Sequence, residues 1–293
     1  MSIFEEYADR CKVAKVERDD AGVVEITLHT DGNSLRFGSD YLAPYQLADL
    51  FGDLGADPEN KVIILGGTGE KFCDNVVDGL QAAHGNPMAW DRVMRNRRRL
   101  LRNLLELEAP IISAVNGPAV AHAEVPVLCD IVLAAPTAAF QDAPHFPLGG
   151  TPGDGAHVLW PYLLGPVRGK YFVLTGQSIG AEEALELGIV NEVVARDELM
   201  PRARELAQMI AARPPLSVRY TRQVINLGLK RLFEQDLGYG LALEGLAAVQ
   251  IRGWRMHNGG NWPGEEEWGD PLWVSRTTNG VPAHDEAAAV TDK

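Results

Sequence analysis

Residues Lys61–Gly67 read KVIILGG, an apolar run too short for an ordinary helix and closed by two glycines, so it predicts a buried strand. Similar runs recur along the first two thirds of the chain. Residues 12–30 hold two short strands, the second in GVVEITLHT, where apolar and polar positions alternate; a helix is expected around Leu47–Leu54 and another over Met88–Leu107. PIISAVNG, DIVLAA and AAFQD then supply further β-rich runs. Short strands alternating with helices specify an α/β core.

Beyond Leu164 the pattern turns helical through RGKYFVLTG, AEEALELG, DELMPRARELAQMIAARP and the long segment from Ser217 to Gln250. Glu182 and Glu183 open one of these helices and Gly188 follows its end, a consistent start and stop. The chain divides on this reading into a core over 1–200, a helical C-terminal region over 201–250 and an extension over 251–293. The extension carries four of the six tryptophans, Trp254, Trp262, Trp268 and Trp273. Free tails are poor in aromatics, so it is expected to pack on its own body or on a neighbouring subunit, with the last dozen residues frayed.

With 46% hydrophobic residues, the 293-residue chain can bury a substantial core. A net charge of −13 repels nucleic acid and anionic membrane surfaces. Arg95, Arg97, Arg98 and Arg99 are the one basic cluster, and the helical periodicity around them predicts a solvated helix face, with an anionic CoA nucleotide as the sharper alternative. Cys11, Cys73 and Cys129 are odd in number and lack metal-type spacing, in keeping with a reducing cytoplasm. The N-terminal dozen residues do not read as a secretory signal, and no window approaches the roughly 18 apolar residues of a membrane span.

The chemistry concentrates in two turns. FQDAPHFPLGGTPGDGAHVLWP, residues 140–161, places His145 and Asp154 on a Gly/Pro-rich loop ahead of a helix-like segment. Upstream, NGPAVAHAEVPVLCDIVLAA, residues 116–135, carries His122 and Glu124 on another strand-to-helix turn. Two histidines and two carboxylates on such loops suit proton transfer or water activation. On the residues alone, Asp154 reads equally well as a helix N-cap, with His145 packing the loop. No HExxH, paired-Cys, phosphate-loop, dinucleotide or GxSxG pattern is present, so no metal or nucleotide cofactor is implied.

The order of these motifs resembles the crotonase (enoyl-CoA hydratase/isomerase) superfamily, with its NGPAxGGGxEL-type turn followed by a PExxLGxxPGxGG loop. The resemblance spans roughly residues 12–250. PHFPxGxxPGDGAHVxWP is nearest the 6-oxocamphor hydrolase group, which cleaves C–C bonds of cyclic β-diketones without CoA. The resemblance implies a spiral of repeated ββα units with a helical C-terminal trimerisation region. It also implies retro-Claisen hydrolysis of a small apolar cyclic or bicyclic diketone by a cofactor-free, cytoplasmic homotrimer or pair of trimers.

In the same terms it assigns water activation to His145 with Asp154, enolate stabilisation to His122, and a supporting polar contact to Glu244 in GLALEGLAA. Without the resemblance, Glu244 is a solvated helix carboxylate. Glu124 matches the first catalytic Glu of the hydratases, but His145 stands where their second one does, which leaves Glu124 as a buried relic. Ala121, His122 and Ala123 replace the GGG turn, and FCDNVVD, with Asp74 and Asp78, replaces FCAGAD; both changes disfavour a CoA thioester. The further active-site His of the oxocamphor hydrolases has no counterpart in SLRFGSDYLAPYQLADLF, where Tyr41 or Tyr45 offers a polar tip. His157 is expected to be structural, and His29, His84, His257 and His284 have no partner motif. The alternatives are a CoA-thioester hydratase or isomerase, and a non-catalytic crotonase-like assembly subunit.

Overall fold

The computed structural model describes residues 3–37, 42–75 and 86–257, with two short paired strands at 277–278 and 281–282. Tyr41, Asp78, His84, Trp262, Trp268, Trp273 and His284 lie outside the described residues, and of Trp254 and His257 only the helical backbone is described.

The chain opens with α1 (Ile3–Arg10), β1 (Ala14–Arg18), β2 (Val23–Leu28), β3 (Leu35–Phe37), α2 (Leu42–Ala56), β4 (Val62–Gly67), β5 (Cys73–Asn75) and α3 (Pro87–Glu106). It continues through β6 (Ile111–Val115), α4 (Glu124–Val127), β7 (Ile131–Ala134), β8 (Ala139–Phe140), α5 (Ala156–Leu164) and α6 (Pro166–Thr175). The last part comprises β9 (Ile179–Gly180), α7 (Ala181–Glu186), β10 (Glu192–Val193), α8 (Leu199–Ala211), α9 (Pro215–His257) and the pair β11 (Thr277–Thr278) and β12 (Val281–Pro282). One sheet runs β1-β2-β4-β6-β7-β10, antiparallel only at β1–β2 and parallel elsewhere. A second, smaller ladder joins β3 to β5 and β8 to β9, with Ala119 bridging Cys73 and Phe140.

The KVIILGG run is the centre of this arrangement. Val62, Ile63, Ile64 and Leu65 are fully buried because helices or strands cover both faces of β4. On one face α8 lays Leu199, Ala203 and Ala207 against Val62 and Ile64, so the helix that begins at the expected seam near residue 200 is a packed layer of the sheet. On the other face α2 and α3 seal the main core with Leu47, Phe51, Leu100 and Leu104.

In α3 the buried positions are Trp90, Val93, Asn96, Arg97, Leu100, Leu101, Leu104 and Leu105, one stripe at helical spacing. The expectation that the arginine run forms a solvated face therefore fails at Arg97. Its place on the 3.6-residue period turns it inward while Arg95 points to water, ion-paired with Asp91 one turn earlier.

The 43-residue α9 is pinned to the core by Arg222, which is 2% exposed. Its guanidinium donates to Asp130 Oδ2 at 2.7 Å and to the carbonyls of Leu104, Leu105 and Leu107, capping the C-terminus of α3. Asp130 also accepts from the Ile111 backbone and from Asn226. Among the described residues, no helix is long and apolar enough to cross a membrane. Cys11, Cys73 and Cys129 are all buried free thiols.

Candidate active site

Five parts of the chain converge behind the small ladder. The turn after β6 brings His122 and Glu124, the loop after β8 brings Asp142 and His145, the turn before α5 brings Asp154, α3 brings Arg97 and α9 brings Glu244. All seven side chains are buried, with Arg97 the most accessible at 8%.

Each is placed by local geometry. His122 takes φ +54, left-handed backbone that costs a non-glycine residue on the order of 1 kcal/mol and swings its ring into the interior. The chain after His145 closes a tight turn in which the Leu148 and Gly150 amides both donate to the His145 carbonyl. Asp154 does not cap α5: Gly155 occupies the N-cap position without a side-chain bond, and the Asp154 carboxylate faces the two histidines. Glu244 reaches them because Gly153 and Gly240 touch backbone to backbone. A Cβ on Gly153 would lie 2.2 Å from the Gly240 carbonyl oxygen, and one on Gly240 would lie 2.2 Å from the His157 ring. His157 holds this seam from the side, with Nδ1 against the Pro152 carbonyl at 2.9 Å and Nε2 against that of Asp236 at 3.3 Å.

The polar contacts form a chain. Asp142 Oδ1 meets His145 Nδ1 at 2.5 Å; His145 Nε2 faces Asp154 Oδ1 at 3.4 Å and Glu244 Oε1 at 3.6 Å. Asp154 Oδ2 stands 3.2 Å from His122 Nδ1, which also meets Glu124 Oε1 at 2.8 Å and Arg97 Nη1 at 2.9 Å. Phe37 packs on the His122 ring at 4.4 Å between centroids, and the Arg97 guanidinium lies over Phe37.

Burial sets the protonation pattern, and neighbouring charges modify it. Burial and then Arg97 push His122 well below the ordinary imidazole value, so its ring is neutral. Burial would lower His145 too, but Asp142 and Asp154 raise it well above that value. Burial would raise Asp154, yet His145 and Arg97 hold it below the usual carboxylate range. Burial and then Asp154 raise Glu124 well above that range and push Glu244 up to about 7. The Arg97 guanidinium and the His145 ring, raised toward its charged form, thus face the Asp154 carboxylate.

His122, His145, Asp154 and Glu244, the four residues singled out from the sequence, thus share one buried cluster. Asp154, which the resemblance pairs with His145, faces its Nε2 and lies between the two rings, while Asp142 holds Nδ1. Arg97 and Asp142 escaped sequence reasoning. The signal for Arg97 was its phase in the apolar stripe of α3; Asp142, three residues before His145 in an irregular loop, offered none. Tyr45 is 47% exposed on α2. His122 with Glu124 and Asp154, and His145 with Asp154 and Glu244, are each close enough to ligate a cation, though Arg97 opposes one at the first trio.

Residues 18–238 match the enoyl-CoA hydratase/isomerase family. The chain belongs to that family, the crotonases. Among curated relatives, it is 35% identical over 196 residues to a short-chain-enoyl-CoA hydratase of Clostridium acetobutylicum, covering 67% of this chain and 73% of that protein. It is 33% identical over 219 residues to the carnitinyl-CoA dehydratase of Escherichia coli K12, covering 74% and 82%.

Among solved structures, the crotonase fold here superposes with TM-score 0.81 on a β-diketone hydrolase of the cyanobacterium Anabaena bound to (S)-3-oxocyclohexyl acetic acid. That pair is 40% identical, over 84% of this chain and 98% of that one. An enoyl-CoA hydratase/isomerase of Mycobacterium paratuberculosis follows at TM-score 0.76 and 29% identity. In this crotonase the carboxyl of Glu124 is engaged with a histidine.

Proposed function

We propose that the chain is a cofactor-independent hydrolase that cleaves a C–C bond of a small cyclic β-diketone by a retro-Claisen reaction. The observation that carries this reading is the Asp142–His145–Asp154–His122 chain, two imidazoles of opposite protonation tendency sharing one ionised carboxylate. Pairs of titratable groups pushed apart by their surroundings mark acid and base partners.

Asp142 holds Nδ1–H of His145, leaving Nε2 as the nitrogen that exchanges a proton with the reactants. In its neutral form His145 takes a proton from water as the hydroxyl oxygen bonds to one carbonyl carbon. The bond between that carbon and the central carbon then breaks, its electron pair passing into the second carbonyl as an enolate. His122 donates a hydrogen bond to the enolate oxygen, and the proton held by His145 is delivered to the enolate carbon. One diketone and one water give one keto acid. Asp142 and Asp154 stabilise the imidazolium formed midway, assistance worth on the order of 10²–10⁴ in rate. The Anabaena neighbour's ligand is a ring-bearing keto acid, the class of compound such cleavage leaves from a bicyclic 1,3-diketone.

Hydration or isomerisation of a CoA thioester is the second reading, favoured by the names of the curated relatives. Against it stand the engaged Glu124 and the side chain of His122 in the turn where crotonases carry glycine. Incubation with a panel of cyclic 1,3-diketones and acyl-CoAs, read by mass spectrometry, tests the choice. Gain of one water with ring opening is expected; turnover of acyl-CoAs alone would reverse the assignment.

A further inference from the structure

We propose that Arg97 is a positioning residue that fixes His122 in the tautomer carrying its proton on Nε2, making that ring a permanent hydrogen-bond donor. The inference rests on the diketone reading for its catalytic consequence, and on the Arg97 contact and the burial of the ring for the tautomer.

A guanidinium donates in every accessible state and accepts in none. Arg97 Nη1 directs a hydrogen at His122 Nδ1 over 2.9 Å. A proton on Nδ1 would set two N–H hydrogens against each other inside a buried site, so Nδ1 presents its lone pair and the ring proton sits on Nε2. Glu124 fits the same assignment. Its Oε1 lies 2.8 Å from Nδ1, and as a neutral carboxyl it shares the one Nδ1 lone pair with Arg97 as a second donor instead of accepting from the ring. Burial keeps it in that form. Asp154, further off at 3.2 Å, is balanced instead by His145 and Arg97.

Arg97 is itself held. It is 8% exposed, occupies the buried stripe of α3, lies over the Phe37 ring at 5.6 Å and stands 3.9 Å from Asp154. Phe37 in turn packs on His122, so one aromatic ring fixes both partners of the contact. A histidine that can present either a lone pair or a proton is an ambiguous partner for a substrate oxygen. With Arg97 on Nδ1 the ambiguity is gone: Nε2 can donate to a carbonyl or enolate oxygen, and His122 cannot compete with His145 for the proton of water.

Neutron diffraction on the deuterium-exchanged wild-type protein tests the tautomer without any substrate. Deuterium is expected on Nε2 of His122 and on the Glu124 carboxyl, with none on Nδ1. Deuterium on Nδ1 would overturn the proposal whatever the enzyme's substrate. Arg97→Met removes the guanidinium donors at similar length; Nδ1 should then gain a proton that the Asp154 carboxylate at 3.2 Å accepts, and kcat on a diketone substrate should fall at least about tenfold with KM changed far less. Arg97→Lys, which retains a donor and a charge, should recover part of that loss and retain the Nε2 tautomer. If Arg97→Met does not fold, the wild-type map and the lysine variant still decide the question. An Arg97→Met protein with unchanged tautomer and unchanged kcat would refute it. Failure of the wild type to open any diketone, with the Nε2 tautomer observed, would sink the diketone reading and leave the tautomer assignment standing.

Discussion

Asp142 Oδ1 lies 2.5 Å from His145 Nδ1, and this contact leaves the opposite nitrogen of His145 as the one that would exchange a proton in the proposed reaction. It also stabilises the charged ring. In the folded protein His145 is raised well above its ordinary value, so its neutral, base-competent form is reached only as pH rises through that raised value. kcat/KM is therefore expected to climb with pH along a limb lying above the ordinary imidazole range. Asp142→Asn removes one of the two anions responsible and should move the limb to lower pH while lowering the plateau at least about tenfold. A pH–rate profile of both proteins checks this; a wild-type rate that falls over the same range would make His145 an acid instead.

His145→Ala and Asp154→Asn should each lower kcat by at least about a hundredfold, with circular dichroism unchanged. The double variant should be little worse than either single one, because the two act as a unit. Glu124→Gln should cost less than any of them. Steady-state kinetics of the four proteins is the measurement, and an essential Glu124 beside a silent Asp154→Asn would restore hydratase chemistry.

Gly240→Ala tests the seam between α9 and the loop carrying Asp154. The added methyl meets the His157 ring and the Gly153 carbonyl, so the helix must shift outward. Overpacking of this kind costs about 1–3 kcal/mol, against under about 1 kcal/mol returned by alanine's better helix propensity. Denaturant melts should show a net loss, and kcat should drop because Glu244 moves with the helix.

Tyr220, Val224 and Leu227 lie exposed at helical spacing on α9, with Val224 72% accessible. Apolar stripes of this kind on a folded surface mark contact with another chain. Light scattering is expected to report an oligomer, and Val224→Asp with Tyr220→Asp should shift it toward the monomer. A wild-type monomer at micromolar concentration would refute the expectation.

The core strands and the long helices were legible because their signals are local. KVIILGG has no other plausible fate, and Glu182, Glu183 and Gly188 bracket α7 as their types require. In the site, His122, Glu124, His145 and Asp154 stood out by type on two turns, whereas Glu244 was legible only through the resemblance. Glu244 sits on a helix with no polar partner near it in sequence, and its neighbours arrive from loops 90 and 99 residues earlier, at Asp154 and His145. Arg97 was hidden by composition: three arginines beside it made the segment look like surface, although the period of Val93, Leu100 and Leu104 already placed it inside.

Arg222 gives the architecture a longer reach than its own hydrogen bonds. Helices α3 and α9 each lend one side chain to the cluster, and both are fastened to one another where Arg222 caps the last turn of α3. Glu244 lies 22 residues further along α9, about 33 Å along a helix rising 1.5 Å per residue. A second fastening lies beside Glu244, where Trp90 Nε1 of α3 donates to the Leu241 carbonyl of α9 at 3.2 Å. The two helices are therefore rails joined by two rungs, and damage to the architectural arginine would put the whole load on the tryptophan that keeps Glu244 in line.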